Sequence, residues 1–173
     1  MCAKQLNDKD VMNILIDTAL SNGATAADCV LSRSRGLSLT RRLGKDETLE
    51  RYEDFDTGLR VFVGNQIASV STNDNSETAI RDVAKRAVDM AKIAPQDDFS
   101  LIASQETLND FPIQNSISVD SYDEVEPNID IIRDRAKEVE DSALSVKGIT
   151  NSDGADASWG EGETLLMTSN GFF

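Results

Sequence analysis

The side chains that most enzymes use for metal binding or for acid and base catalysis are scarce in this chain. Its 173 residues include no histidine and only two cysteines, Cys2 and Cys29. Without histidine the chain cannot hold a Ser-His-Asp triad or an HExxH-type metal site. Two separated cysteines are also too few for a tetrahedral zinc site. We therefore expect no catalytic residue, no metal ligand and no cofactor in this chain.

Carboxylates are abundant, and pairs such as Asp97 with Asp98 and Asp123 with Glu124 offer the next possible chemistry. The sequence around them is polar, so it lacks the apolar surroundings that adapt a carboxyl group to acid or base catalysis. No serine or aspartate has a plausible base beside it that would activate a nucleophile. We interpret these acids as solvated surface groups, and the sequence disfavours a stand-alone hydrolase that uses serine or aspartate chemistry.

The best candidate for a binding surface is the stretch GLRVFVGNQIASVSTND, which covers residues 58–74. A sheet edge lined by small hydroxyl side chains can accept an extended peptide by strand addition. We expect such a peptide groove to be lined by Gly58, Arg60, Ser69, Ser71 and Thr72. The alternative, that these are outward-facing strand residues without a ligand, stays open.

Hydrophobic spacing predicts the elements that would position this surface. A helical pattern over residues 8–23 is followed by alternating residues from Cys29 onward, with a bend or interruption near Gly36. A β-rich stretch then contains a hairpin turn at Gly64 and Asn65. The second helix begins at a cap at Asn75 or Ser76 and ends before Pro95. Its apolar stripe comprises Ile80, Val83, Ala84, Ala87, Val88 and Ala91.

The second half of the chain predicts a third helix and two closing strands. Residues 96–126 form a long, irregular and acidic connection. The third helix opens at Pro127, ends at Gly148 and carries its apolar residues at helical spacing. They are Ile129, Ile132, Ala136, Val139 and Ala143. Gly58, Gly64, Gly160 and Gly162 lack the spacing of a phosphate-binding loop, and we interpret them as turn residues.

The order of these elements predicts an α+β fold with a largely antiparallel sheet and about three helices packed on one face. The length fits one domain. No run of apolar residues approaches the length of a membrane span, and no basic segment precedes an apolar run at the start. A structural disulfide is disfavoured because Cys2 lies at the N-terminus, far from Cys29. We expect a soluble, cytoplasmic protein with no membrane partner.

The net charge of −14 is concentrated in the middle of the chain, where residues 97–141 hold 13 acidic side chains against 3 basic ones. Direct binding to nucleic acid needs a basic surface, so we expect none. A solvated loop and helix face is the simplest interpretation of this acidity. The alternative is that the chain is an acidic binding protein that mimics nucleic acid and occupies a basic site on a DNA enzyme.

Two long segments, taken in order, resemble the N-terminal domain of the TldD/PmbA family, whose members are also named modulators of DNA gyrase. The first is GATAADCVLSRSRGLSLTRRLGKDETLERYEDFDTGLRVFVGNQIASVSTNDNSETAIRDVAKRAVDMAK, and the second is NSDGADASWGEGETLLMTSNGFF. Together they cover nearly the whole chain. The stretch RRLGKDETLERYEDFDTGLRVFVG is closer to PmbA, also called TldE, than to TldD.

This resemblance implies a role in proteolysis. TldD-like subunits carry zinc at an HExxxH motif beyond the N-terminal domain, whereas PmbA/TldE subunits lack it. The two kinds form a heteromeric bacterial metallopeptidase, a hydrolase that degrades extended peptides and processes a peptide antibiotic precursor. The resemblance implies that this chain is a non-catalytic domain that shapes the substrate cleft and the subunit contacts. Its expected partners are a TldD-like subunit, peptide substrates and a second copy of itself, with zinc held only by the TldD-like subunit.

Members of the family are longer than this chain, so the resemblance also predicts that residues 1–173 are a single N-terminal domain of a longer protein. The chain closes on TSNGFF. We expect its last residues to form a junction with a following domain. These residues are Asn170, Gly171, Phe172 and Phe173.

Overall fold

A computed structural model of the chain describes residues 6–110 and 119–173, without the side chains of residues 109 and 110. Within these residues the helices and strands alternate in groups rather than one by one. The helices are α1 (Asp8–Ser21), α2 (Glu77–Ile93), α3 (Gln105–Asp110) and α4 (Ile129–Leu144). The strands are β1 (Ala26–Arg42), β2 (Lys45–Val63), β3 (Gln66–Thr72) and β4 (Ala155–Thr168).

The strands form one antiparallel sheet in the order β3-β2-β1-β4, so the predicted α+β fold with an antiparallel sheet is confirmed. The β2–β3 hairpin turns at Gly64, where φ is +58°, and its register runs from Thr57 opposite Thr72 to Val63 opposite Gln66. The position of this turn is also as predicted.

Several predicted glycine turns are wrong. Gly160 and Gly162 lie inside the single strand β4, which replaces the two closing strands, and Gly58 lies inside β2. Strand β1 continues through Gly36 without interruption. The physical reason is visible at Tyr52: a Cβ at Gly36 would lie 2.6 Å from its ring, and one at Gly160 would lie 3.2 Å from its hydroxyl oxygen. Glycine makes room in the sheet for this ring.

The downstream helices also differ from the prediction. Helix α4 begins at Ile129, because the side chain of Asn128 caps it by accepting the backbone N–H of Ile131 at 3.0 Å. It ends at Leu144, four residues before Gly148. The connection predicted to be irregular over residues 96–126 contains the short helix α3, and its residues 111–118 lie outside the described residues.

The described residues group into two compact units, and strands β1, β2 and β4 contribute to both. The first unit draws on Met1–Ser32, Phe55–Ser118 and Thr164–Phe173. Its core is formed by helices α1 and α2 together with alternate residues of the strands. The complete predicted stripe of α2, from Ile80 to Ala91, is buried, and all of it except Val83 belongs to this core.

The second unit comprises Arg33–Asp54 and Val119–Glu163. Its apolar cluster is small, with Leu37 and Leu39 of β1 packed against Ile132 and Ala136 of α4. The rest of the predicted α4 stripe is not buried, since Val139 is 55% exposed. The side chain that takes its place is Glu140, a carboxylate that is 1% exposed.

Glu140 fixes the turn between β1 and β2. Its Oε1 accepts the backbone N–H of Leu43, and its Oε2 accepts that of Gly44 at 2.9 Å. Both turn residues have positive φ, +47° and +79°, a conformation that is unfavourable for leucine. The Nε of Arg41 lies 3.6 Å from the same carboxylate. A buried charge therefore holds the turn closed from the neighbouring helix.

Candidate peptide-binding surface

Four of the five predicted groove residues lie on the same face of the first unit's sheet. Gly58 is opposite Ser71 and Arg60 is opposite Ser69, on the side away from the helix-packed residue Leu59. The fifth, Thr72, is opposite Thr57, whose buried hydroxyl donates a 3.3 Å hydrogen bond to Oδ1 of Asn75. Strand alternation therefore places Thr72 on the helix-packed face, apart from the other four.

Arg60 is held by a buried acid that the sequence did not reveal as part of the surface. Its Nη2 lies 2.5 Å from Oδ2 of Asp28, and its Nε lies 3.1 Å from both carboxylate oxygens. The side chain of Asp28 is 9% exposed, whereas that of Arg60 is 48% exposed. The guanidinium also lies 5.3 Å from the ring centroid of Phe62. The sequence feature that could have indicated a buried, paired Asp28 is the presence of an acid within the apolar stretch AADCVL.

This arrangement fixes a cation while leaving part of it in solvent. A guanidinium has five N–H donors, and the bidentate pair with Asp28 uses only some of them. The remaining donors are the kind that bind backbone carbonyl oxygens. Beside them, Ser69 and Ser71 are exposed hydroxyl groups, and Gly58 adds no side chain to the surface.

Strand β3 gives the same surface an edge. It pairs with β2 on one side and is the last strand of the sheet. Its start is tied down, because Gln66 forms an isolated bridge with Gln96 and its side chain donates to the carbonyl oxygen of Ala94 at 2.6 Å. In the part of the chain that the structure describes, no strand pairs with β3 beyond that bridge. The arrangement can accept an extended peptide along the edge of β3. It can also accept one across the face that carries Arg60, Ser69 and Ser71, which we call the serine face.

The predicted junction residues form a turn at the end of β4. The backbone N–H of Thr168 donates to the carbonyl oxygen of Phe172 at 3.0 Å, and the N–H of Phe172 donates to the Thr168 hydroxyl at 3.0 Å. Gly171 has φ of +97°, and Asn170 donates to the carbonyl oxygen of Ala103 at 2.6 Å. Phe173 is 48% exposed, with Nζ of Lys9 4.8 Å from its ring centroid. Their role as a junction stays a prediction.

Cys29 is buried and chemically quiet. Burial, and secondly the charge of Asp28, raise the pKa of its thiol to about 12. The other cysteine of the chain, Cys2, lies outside the described residues. Among the described residues no three histidine, cysteine or acidic side chains come together as a metal site. Nor is any described helix both long and apolar enough to cross a membrane.

Several acidic side chains downstream of residue 119 are paired with arginine or lysine. Glu126 lies 3.1 Å from Arg35 and 2.9 Å from Arg51. Glu161 also pairs with Arg35, whose hydrogen bond lowers the pKa of that carboxyl. Asp130 pairs with Arg133, and Asp141 pairs with Lys137. Local neutralisation of this kind gives no support to nucleic-acid mimicry.

Comparison with known proteins identifies the class to which this fold belongs. A crystal structure from Bacteroides thetaiotaomicron, named as a candidate modulator of DNA gyrase, superposes with a TM-score of 0.79 and 24% identity. The match covers 99% of this chain and 38% of that one. TldE from Thermococcus kodakarensis gives a TM-score of 0.75 and 15% identity over 93% of this chain and 35% of its own. The chain therefore has the fold of a domain found in these larger proteins.

Sequence comparison finds similar proteins of the same kind. Residues 27–91 match the family model described as PmbA/TldA metallopeptidase domain 1. The chain is 27% identical to the metalloprotease PmbA homolog of Haemophilus influenzae, over 98% of this chain and 37% of the relative. It is also 27% identical to metalloprotease PmbA of Escherichia coli O157:H7, over 94% of this chain and 36% of the relative. Residues 27–91 are thus similar to the first domain of the PmbA/TldD metallopeptidases, and the chain spans somewhat more than a third of the curated relatives it matches.

Proposed function

We propose that residues 1–173 form a non-catalytic domain of a PmbA/TldE-like subunit that acts, in the cytoplasm, with a TldD-like zinc subunit in a heteromeric metallopeptidase. In this proposal the zinc and the peptide-bond chemistry belong to the TldD-like subunit. The present chain shapes the substrate cleft and contributes to subunit contacts. The substrates are extended peptides.

The observation that carries the proposal is the combination of a metallopeptidase-domain match over residues 27–91 with a complete lack of histidine. Histidine is the residue that a zinc peptidase site would need first. The acids and cysteines of the described residues form no metal-binding group that could replace it. A domain of this family with such a composition fits binding better than chemistry.

The serine face of the first unit supports a role in holding peptides. Arg60 presents a fixed, half-exposed guanidinium beside the exposed Ser69 and Ser71. Arginine donors and hydroxyl groups bind the carbonyl and amide groups of an extended chain without reading its side chains. A surface of this kind suits a peptidase that takes many sequences.

The test is to mix the natural protein that contains this chain with a TldD-like subunit from the same source. Co-purification and the initial rate of hydrolysis of a casein-derived peptide mixture are measured. We expect a stable complex and hydrolysis by the mixture that neither protein shows alone and that a zinc chelator abolishes. Absence of a complex together with no gain in hydrolysis would falsify the proposal.

A further inference from the structure

Strand β2 has a second free edge, distinct from that of β3. β2 contains 19 residues, yet β3 pairs only with its last seven, from Thr57 to Val63. The preceding residues 45–54 lie in the second unit and pair with β1 on one side only. None of the described backbone hydrogen bonds outside the regular elements involves them. No described residue therefore pairs with the outer edge of this row of about ten residues, which is roughly 33 Å long.

The side chains along this edge are exposed on both faces of the strand. All ten residues 45–54 are exposed, which is unusual for a strand because one face is normally buried. Leu49 is 54% exposed and Tyr52 is 44% exposed, so each face of the strand carries one large apolar side chain. An added strand would find both backbone partners and apolar neighbours here.

The charge of the edge indicates which strand it would accept. Residues 45–54 carry five acidic side chains and two basic ones. Asp46 pairs with Arg41 and Arg133, and Arg51 pairs with Glu126. Among the described residues no ion pair involves the other four acids. These are Glu47, Glu50, Glu53 and Asp54.

A second copy of the chain is a poor occupant, because pairing two such edges would bring like charges directly opposite each other. A strand with lysine or arginine at alternate positions would instead cover one face of the edge with bases, near either Glu47 and Glu53 or Glu50 and Asp54. We propose that the free edge of β2 over residues 45–54 binds an extended basic peptide as an added strand. This binding belongs to the chain itself and does not depend on a zinc subunit.

Charged edges often serve only to prevent aggregation, so the experiment must separate binding from protection. The probe is a fluorescein-labelled ten-residue peptide of alternating lysine and valine, titrated against the chain and followed by fluorescence anisotropy. Two comparison probes share its length. One replaces lysine with glutamate, and the other carries methyl groups on its backbone nitrogens, which keeps the charge but removes the donors that a strand needs.

The edge variant is Glu47→Lys with Glu50→Lys and Glu53→Lys. Its matched control is Glu124→Lys with Asp134→Lys and Glu138→Lys, three exposed acids of the same unit that change the net charge equally. Both variants are first compared with the parent chain by far-UV circular dichroism.

We expect the lysine probe to bind the parent chain and the control variant alike. Binding to the edge variant should fall at least about tenfold, since the face that the lysines cover exchanges one or two carboxylates for like-charged lysines. The glutamate probe should gain affinity for the edge variant, and the methylated probe should bind neither. The inference is overturned if the lysine probe does not bind, if the methylated probe binds equally, or if both variants lose affinity equally. A dimer that forms through this edge without peptide would also overturn it.

Discussion

The two units use the same strands in opposite ways. In the first unit, 17 buried residues form an apolar core between α1, α2 and the sheet. In the second, only four buried apolar residues lie between α4 and β1, and the carboxylate of Glu140 occupies a buried position beside them. Burial of apolar surface is the dominant favourable contribution to folding. The comparison therefore predicts that the stability of the first unit depends on apolar packing. The stability of the second unit depends on a few polar contacts and on the ring of Tyr52.

The two proposed binding surfaces follow the same division. The serine face with Arg60 lies on the well-packed first unit, where a rigid sheet can hold a guanidinium in place. The bare edge of β2 lies on the second unit, where the strand has no buried face. Side chains that must be held in place for binding belong on rigid elements of a fold. Binding through backbone hydrogen bonds tolerates a more mobile strand.

The largest expected effect is at Cys29, which reports the opening of the first unit's core. Since the pKa of its thiol is raised from 9.0 to about 12, its thiolate fraction at pH 8 is about a thousandfold lower than that of a free thiol. In a Cys2→Ser background, iodoacetamide should label the folded chain at least about a thousandfold more slowly than the chain in urea. The unfolded thiol ionises first, so this group's contribution to stability should be lost as pH rises from about 9 to 12. Equal labelling rates in both states would show that the core is not closed.

Next in size is truncation of the first unit's core. Leu15 is fully buried in α1, and Leu15→Ala should lower the free energy of unfolding by about 2–5 kcal/mol. Leu20 lies on the same helix and is 37% exposed, so Leu20→Ala is the matched control and should cost about 1 kcal/mol or less. Urea unfolding followed by circular dichroism measures both. Similar losses for the two variants would contradict the packing half of the comparison.

The dependence of the second unit on polar contacts is tested at Glu140. Glu140→Gln keeps the size of the side chain but weakens its hydrogen bonds to Leu43 and Gly44, so we expect a loss of about 1.5–3 kcal/mol. Glu138→Gln changes an exposed acid of the same helix and should cost less than about 0.5 kcal/mol. Hydrogen exchange at the amides of Leu43 and Gly44 should accelerate in the first variant only. Unchanged exchange there would show that the carboxylate does not hold the turn.

The smallest effect is at Gly36. Gly36→Ala would place a Cβ 2.6 Å from the ring of Tyr52, and the half-exposed ring must move away at a cost of about 1 kcal/mol. Gly162→Ala is the control, because its Cβ would meet only the carbonyl oxygen of Arg33 at 3.5 Å. The fluorescence of Tyr52 and the unfolding midpoint should both shift more in Gly36→Ala. If Gly162→Ala shifts them equally, the ring does not determine the need for glycine at position 36.

The sequence was most informative where one face of an element is buried. The α2 stripe follows from the helical period and the hairpin from the turn dipeptide Gly64-Asn65, and the structure confirms both. Periodicity failed in the second unit, where Val139 is exposed and Glu140 is buried. No local rule predicts a buried acid, because its partners are backbone groups about 97 residues away in sequence.

The candidate surface shows the same limit. Strand alternation alone separates Thr72 from Ser69 and Ser71. Grouping these two serines with Gly58 and Arg60 needs the register of the hairpin. The ion pair of Arg60 with Asp28 depends on the pairing of β1 with β2, which spacing along one strand does not give. The roles of Gly36 and Gly160 were predicted wrongly because the ring of Tyr52 on β2, and not a turn or a break, explains both glycines.

The proposal that this domain binds substrate and does not perform chemistry is tested most directly by steady-state peptide hydrolysis in the complex with a TldD-like subunit. Ser69→Tyr with Ser71→Tyr would fill the exposed serine face with residues that suit a strand. Thr78→Tyr, at an exposed position of α2, is the control. We expect KM to rise about tenfold in the double variant with kcat unchanged, and neither to change in the control. A fall in kcat at constant KM, or no effect of filling the face, would contradict the account.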